Sequence, residues 1–199
     1  VALIFSCVVL FTIVLTVLHA LIALYLAERI TRPKRWRVEG TPADLSLRHE
    51  EVEFAGGDGY SLSGWYLESP GARATVVILH DVEGTRSDRQ QGLLELQRDY
   101  LRRGLHVLSF DLRGHGESSG TRDQLGATEI SGVSSAVIYA QQRHPGLPVV
   151  LHGFGLGAAL ALVAASRDLG VAGIIADSPF TSMRAYVQHQ HPRVPLHLF

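Results

Sequence analysis

The chain has 199 residues, with 18 Lys and Arg against 19 Asp and Glu and a formal net charge of −1 at pH 7. This length can hold one domain with a hydrophobic core but hardly two. A nearly neutral charge gives no electrostatic reason to expect nucleic acid as a partner. A single cysteine, Cys7, excludes a disulfide framework and a cysteine-built metal site. Because the first residue is valine, we expect the natural start to lie upstream.

Residues 1–27 carry no charged side chain and are mostly Val, Leu, Ile, Phe and Ala. As a helix they would extend about 40 Å, more than the roughly 30 Å hydrocarbon core of a bilayer requires. A secretory signal peptide is the alternative, but its apolar core usually has about 7–15 residues, and Ala20 and Ala23 make a poor cleavage site. We therefore predict a transmembrane helix over residues 1–27, with the lipid bilayer as its partner.

Residues 28–46 are predicted to form a basic juxtamembrane segment and a linker. Residues 28–37 hold five basic side chains and one acid. We expect the cationic groups to lie at lipid headgroups, with Trp36 at the membrane interface. The excess of Lys and Arg favours a cytoplasmic location for the domain that follows, although charges upstream of Val1 would compete with this bias.

The domain is predicted over residues 47–199, with strand and helix patterns in alternation. Polar and apolar residues alternate over 51–54, which predicts a strand, and the glycines that follow suit a hairpin turn to a second, antiparallel strand over 60–67. Uninterrupted apolar runs predict four further strands, at residues 74–79, 105–110, 149–151 and 171–176. Helical patterns lie between them, from a cap at Ser87 or Asp88 to residue 101, from residue 130 to a stop at Pro145, and over residues 156–167.

This order predicts an α/β fold, in which an antiparallel hairpin leads into a mainly parallel sheet with helices on both faces. In such a sheet the ligand site lies beyond the carboxyl ends of the strands. Glycine-rich or polar turns follow four of the predicted strands, at residues 79–84, 110–118, 152–157 and 176–180. These turns are the candidate site.

The second of these turns has a specific motif. Residues 110–118 match D-x-R-G-x-G-x-S directly after a buried strand pattern. On this motif and the turns beside it, the chain from residue 51 to residue 180 resembles the α/β-hydrolase family. It is most similar to membrane-anchored serine hydrolases of the esterase, lipase or serine aminopeptidase type. The resemblance implies that the motif residues fix their loop rather than contact substrate; they are Asp111, Arg113, Gly114, His115 and Gly116.

Residues 153–157 align with the family's nucleophile elbow, G-x-S-x-G, a strained turn from strand to helix. Gly153 and Gly157 occupy its outer glycine positions, and Gly155 stands where the family has its nucleophilic serine. A glycine has no side chain that can attack a carbonyl, so an acyl-enzyme cannot form at position 155.

The turn at Leu79 and His80 resembles the family's oxyanion-hole turn, with Asp81 in place of the usual glycine. The resemblance implies that the backbone N–H groups of Leu156 and Val82 face the developing oxyanion. We expect His80 to be a satisfied core histidine.

The resemblance also implies a triad acid and a histidine later in the chain. Because the chain stops one strand after the elbow, we expect about 60–100 further residues to supply them. They would complete a fold whose cap region begins after residue 180. Asp177 follows the next strand and is a reserve candidate for the acid. The alternative is that Asp177 closes its strand and caps the turn at Ser178.

The implied reaction is hydrolysis of a carboxylic ester, thioester or amide through an acyl-serine, with a small acyl compound as substrate and no cofactor. With Gly155 the chain is expected to be inactive as it stands. The glycine could mark a natural non-catalytic member, a degraded or misread gene, or a deliberate substitution. The alternative function is a pseudohydrolase that binds an acyl compound or a partner without catalysis.

Two competing motifs remain. Gly153, Gly155 and Ala158 fit the dinucleotide fingerprint G-x-G-x-x-G/A, and Asp177 follows at the spacing of a ribose ligand. However, that fingerprint normally opens the first strand of its domain. Three histidines in the tail suggest metal only weakly, and we predict a solvated loop instead; they are His189, His191 and His197.

Overall fold

The computed structural model describes residues 2–30, 32, 34–57, 59–121, 128–167 and 170–190. Helix α1 comprises Ala2–Ile30. Its apolar side chains are exposed along most of its length, and it is long and apolar enough over Ala2–Glu28 to cross a membrane. A signal sequence would meet the same criteria. The hydroxyls of Thr12 and Thr16 donate to carbonyls one turn earlier, which satisfies these polar groups within the helix.

The described residues of the domain form six strands and four further helices. The strands are β1 (Glu50–Ala55), β2 (Ser61–Leu67), β3 (Thr75–Leu79), β4 (His106–Phe110), β5 (Val149–Phe154) and β6 (Val171–Asp177). The helices are α2 (Leu93–Arg102), α3 (Glu129–Arg143), α4 (Leu156–Ala165) and α5 (Met183–Gln190), and a short 3-10 helix covers Pro42–Leu45.

The strands form one sheet in the order β1-β2-β4-β3-β5-β6. Strands β1, β2 and β4 are antiparallel neighbours, whereas β4, β3, β5 and β6 run parallel. This confirms the predicted hairpin followed by a mainly parallel sheet. The register pairs Leu79 with both Phe110 and Gly153, and Gly153 with Ala176. The four turns of the candidate site therefore begin side by side.

The core lies on both faces of the sheet, as the uninterrupted apolar strands predicted. Leu79 and Phe110 face a cluster that includes Val133 and Val137 of α3 and Leu160 of α4. The neighbouring strand residues point to the opposite face, where Ile78 and Trp65 belong to a cluster with Leu93 and Tyr100 of α2. Helices on both faces thus anchor the sheet edge that carries the site.

The predicted linker packs against the domain. Val38 and Leu45 of the linker lie against the α2 cluster, as does Leu47 at the predicted start of the domain. The Arg35 guanidinium donates to the carbonyl oxygens of Gly114, Ser118 and Gly120, at 3.2, 2.7 and 2.6 Å. These hydrogen bonds hold the exposed Arg35 side chain against the turn after β4, and its expected place at lipid headgroups stays a prediction.

The predicted cap of α2 was also wrong. The helix begins at Leu93, after Gly92 at φ 62°, and neither Ser87 nor Asp88 is its N-cap. The Asp88 carboxylate accepts from the N–H of Gln90 at 2.8 Å, within the preceding turn. The hydroxyl of Ser87 accepts from the N–H of Glu39 at 2.9 Å, so it joins the linker to this loop. Both side chains are used one or two turns before the helix.

The segment after β6 was predicted as a loop, but it contains α5. Position 189 lies in this helix, whereas residues 191 and 197 lie outside the described residues. In the described part of the chain, no group of three or more His, Cys, Asp or Glu side chains could hold a metal ion.

Candidate active site

His80 follows β3 directly and is buried. Its Nε2 accepts from the N–H of Leu112 at 2.9 Å, so the proton resides on Nδ1, which lies 2.6 Å from the carbonyl oxygen of Asp81. Burial, and then the nearby His115, lower the pKa of His80 to about 3. The neutral imidazole joins the turns after β3 and β4, and both of its nitrogens are occupied.

The turn after β4 is organised around the fully buried carboxylate of Asp111. Oδ1 accepts from the N–H of Arg86 at 2.7 Å, and Oδ2 accepts from the N–H of Glu117 at 2.9 Å. Gly116 has φ 43°, and a Cβ there would lie 2.1 Å from Oδ2 of Asp111. A glycine is therefore required for the loop to close over the carboxylate.

Arg86, in the loop after β3, is a residue of the site that was not predicted from the sequence. Its side chain is 2% exposed, and Nη1 lies 2.5 Å from Oδ2 of Asp111. The guanidinium also pairs with Glu117 and lies 4.4 Å from the ring of Trp65. A carboxylate directly after a buried strand needs a buried cation, and that requirement is the signal that could have led to Arg86.

Arg113 and His115 were also predicted to fix this loop. Arg113 stacks on the ring of Tyr60 at 3.5 Å from its centroid. His115 Nε2 accepts from the N–H of Glu83 at 3.3 Å, and its Nδ1 lies 3.0 Å from the carbonyl oxygen of Arg113. The β4 turn, which includes Gly114 at φ 78°, is thus joined to the start of β2 through Arg113 and to the loop after β3 through His115.

The sharp turn from β5 to α4 takes place at Gly155, which has φ 49° and ψ −108°. Its N–H donates to the carbonyl oxygen of Asp177 at 2.9 Å. A Cβ on Gly157 would lie 2.3 Å from the carbonyl oxygen of Leu79, and one on Gly153 would lie 2.3 Å from the carbonyl carbon of Gly157. The outer glycines therefore let α4 approach β3 and β5 closely.

A carboxylate lies beside this turn. Oδ1 of Asp81 accepts from the N–H of Leu156 at 2.8 Å and from the N–H of Val82 at 2.7 Å. A Cβ built on Gly155 would lie 2.0 Å from the same oxygen. The two N–H groups that sequence analysis selected thus converge on one point beside Gly155. In the sequence Asp81 is recognisable only as a replacement for glycine, whereas in the structure its side chain occupies this point.

Asp177 is exposed at the end of β6, and its carboxylate accepts from the hydroxyl of Ser178 at 2.9 Å. Its backbone oxygen supports Gly155, so the residue adjoins the elbow through the main chain. The contact with Ser178 is the one expected of a residue that closes its strand and turn.

A half-open cavity of about 370 Å³ lies next to this site. Its walls are Trp36, Arg37 and Glu39 of the juxtamembrane segment and residues 82–85 and 87–90 of the loop after β3. Val82 belongs both to this wall and to the pair of N–H donors. The cavity therefore links the segment next to α1 with the candidate site.

Known proteins share this architecture. The family described as "Serine aminopeptidase, S33" matches residues 70–198. An uncharacterised protein of Escherichia coli O157:H7, YfhR, is 31% identical over 152 residues, which are 72% of this chain and 51% of YfhR. The lysophosphatidylserine lipase ABHD12 of Danio rerio is 31% identical over 133 residues, which are 64% of this chain and 34% of the lipase.

Among solved structures, the esterase Pf2001 of Pyrococcus furiosus aligns with a TM-score of 0.73 at 28% identity, over 84% of this chain and 64% of the esterase. The chain spans about half the length of the curated relatives it matches. The family match covers more than half of the chain, and the sheet and its turns agree with it. This chain therefore belongs to the serine aminopeptidase S33 family of α/β hydrolases.

Proposed function

We propose that this chain carries the carbonyl-binding part of a serine-hydrolase site for carboxylic esters, thioesters or amides, and that Gly155 makes it catalytically silent as it stands. The observation that carries the proposal is the convergence of the Leu156 and Val82 N–H groups, 2.8 and 2.7 Å from one oxygen beside Gly155. Two preorganised N–H donors at this distance suit the oxyanion of a tetrahedral intermediate.

The nucleophile is the missing group. A serine at position 155 would hold its hydroxyl beside the point on which the two donors converge, so that it could attack a carbonyl carbon whose oxygen lies at that point. The acid and the base would come from the part of the fold that the longer relatives possess. Asp177 remains a reserve candidate for the acid, because it adjoins the elbow through the hydrogen bond to Gly155. No step in this chemistry calls for a cofactor.

A second candidate function is a pseudohydrolase that binds an acyl compound or a partner without catalysis. The observation that favours it is the Asp81 carboxylate, which occupies both donors in the absence of substrate. The same contact argues against dinucleotide binding, since a pyrophosphate at the start of α4 would meet a resident negative charge. Titration with a dinucleotide should therefore show no binding.

Fluorophosphonate labelling of the complete gene product tests the first proposal. Four forms are compared: the natural protein, Gly155→Ser, Asp81→Gly with Gly155→Ser, and Asp81→Gly with Gly155→Ala. We expect labelling of the double variant that carries serine and none of the natural protein. The alanine variant is the matched control, because it adds a Cβ without a hydroxyl. Absence of labelling in every form would contradict a surviving hydrolase site and favour the pseudohydrolase.

We further propose that α1 anchors the protein in a lipid bilayer, with the domain on the cytoplasmic side. The exposed apolar surface of Ala2–Glu28 and the basic residues after it support this proposal. The protein should stay with membranes during carbonate extraction, and a variant without residues 1–27 should not. A protease added to right-side-out vesicles should leave the domain intact; release of a soluble domain by a signal peptidase would contradict the anchor.

A further inference from the structure

The Asp81 carboxylate is bound as a ligand of the candidate site would be. Its Oδ1 accepts from two N–H groups that are distant in the chain, those of Val82 and Leu156. A hydrogen bond from an N–H group to an ionised oxygen is shorter and roughly twice as strong as one to a neutral oxygen. A neutral carbonyl is therefore a weaker competitor for these donors than the side chain already there.

Position 155 decides whether this side chain fits. A Cβ at residue 155 would lie 2.0 Å from Oδ1, 2.1 Å from Cγ and 2.3 Å from Oδ2 of Asp81. Real Cβ atoms essentially never come closer than 3.0 Å to such atoms. Every residue other than glycine would displace the carboxylate from the two donors. The identities of residues 81 and 155 are therefore physically coupled.

We infer that Asp81 and Gly155 are a matched pair: Asp81 is the resident anion of the Leu156 and Val82 N–H groups, and Gly155 makes room for it. This inference rests on the proposed function of those N–H groups. It also assigns the site a ligand class, since a free monocarboxylate has the charge and the acceptor oxygen to replace Asp81. A neutral ester has the acceptor but not the charge.

The first test measures the melting temperature of the full chain in detergent for the natural protein, Gly155→Ser, Asp81→Gly and the double variant. With Asp81 present, we expect Gly155→Ser to lower the melting temperature by several degrees, because the new Cβ moves the carboxylate off its two N–H donors. With glycine at position 81, the same substitution should lower it much less. An equal loss in both backgrounds would overturn the coupling. If the single serine variant fails to fold, recovery of a melt in the double variant supports it.

The second test supplies the missing carboxylate from solution. Sodium acetate should raise the melting temperature of Asp81→Gly above its value in sodium chloride of equal ionic strength, and should not do so for the natural protein. Asp88→Gly is the matched control, since Asp88 lies on the same loop and its carboxylate accepts from another N–H. Asp81→Asn should respond less than Asp81→Gly, because its amide oxygen keeps the two bonds without the charge.

An identical response to acetate and chloride in Asp81→Gly would overturn the resident-anion role. Both tests read stability, so they are independent of the labelling experiment. If labelling fails while the coupling between residues 81 and 155 and the acetate effect are found, the matched pair is supported and the hydrolase chemistry is contradicted. If Gly155→Ser is labelled as strongly with Asp81 as with glycine at position 81, the hydrolase site stands and the matched pair falls.

Discussion

Arg86 and Asp111 form a buried ion pair at the centre of the site loops. Both side chains are almost completely shielded from solvent, and the carboxylate also accepts hydrogen bonds from two backbone N–H groups. Removal of one partner would leave the other charged group buried without compensation. The pair therefore sets the positions of the β3 and β4 turns, although neither residue is placed to react with substrate.

Arg86→Met should accordingly lower the free energy of unfolding by about 3–5 kcal/mol, because it leaves Asp111 without its cation. Urea denaturation measures this loss. Arg89→Ala is the control, since Arg89 is largely exposed and 3.9 Å from Glu39. A surface change of this kind should stay within about 0.5 kcal/mol. Equal effects of the two substitutions would contradict the structural importance of the buried pair.

His80 should make the protein sensitive to acid. Its pKa is lowered to about 3 in the folded protein, against an ordinary value of 6.5. The unfolded chain takes up a proton below pH 6.5 while the folded protein does not, so stability falls as the pH drops from 6.5 toward 3. One proton corresponds to a slope of up to about 1.4 kcal/mol per pH unit.

His80→Gln should reduce this slope over the same pH window, although it also lowers stability at neutral pH by removing a buried hydrogen bond. Urea denaturation at several pH values between 6.5 and 4 provides the measurement. His106 and His152, whose pKa values burial also lowers, remain in both proteins and cancel in the comparison. An unchanged slope would mean that His80 becomes protonated without unfolding.

At the scale of elements, the close approach of α4 to the sheet shapes the site. The N-terminus of α4 lies over the ends of β3 and β5 because Gly153 and Gly157 have no Cβ. Leu156 at the start of this helix supplies one of the two N–H donors to Asp81. Any displacement of α4 along or away from the sheet would therefore separate that donor from Val82.

Gly157→Ala should destabilise the protein by about 1–3 kcal/mol, since its Cβ would lie 2.3 Å from the backbone oxygen of Leu79. Gly173→Ala on β6 is the matched control, because its Cβ would lie 3.9 Å from a side-chain carbon of Val150, an ordinary contact. The control should change the free energy of unfolding by less than about 0.5 kcal/mol. Thermal or urea unfolding of both variants measures these changes. If Gly157→Ala lowers the free energy of unfolding as little as Gly173→Ala does, the close approach of α4 to β3 is contradicted.

At the scale of the whole molecule, the edge of the sheet at β6 is poorly covered. Strand β6 ends the sheet, and apolar side chains near this edge stay exposed: Leu162, Val163 and Ile175 are 46, 47 and 45% exposed. An uncovered parallel edge with exposed apolar side chains favours association with other chains.

The segment 40–199 produced by itself should therefore unfold without a cooperative transition and should form oligomers. Circular dichroism during heating, together with sedimentation, provides the measurement. Leu162→Glu with Val163→Lys should reduce the oligomers, because it replaces apolar surface on the outer side of α4. A cooperative melt of a monomeric segment would contradict the prediction.

The sequence alone predicted the order of strands and helices, the hairpin before a mainly parallel sheet, and the four turns at one edge. Those features depend on local periodicity and on glycine, both of which can be read along the chain. The motif at residues 110–118 and the glycines of the elbow likewise indicated the family, and the absence of a nucleophile at Gly155 stays a prediction.

Only the tertiary structure decided which groups meet. It paired Asp111 with Arg86, 25 residues away, and directed Arg35 to the carbonyls of the β4 turn. It also placed the Asp81 carboxylate within hydrogen-bond distance of the N–H groups of Val82 and Leu156, in the space that Gly155 leaves open. Such contacts depend on the register of strands that are distant in sequence and on side-chain direction, and no local pattern encodes either. For the same reason, the sequence presented Asp81 only as a replacement for glycine, whereas the structure shows its carboxylate beside Gly155.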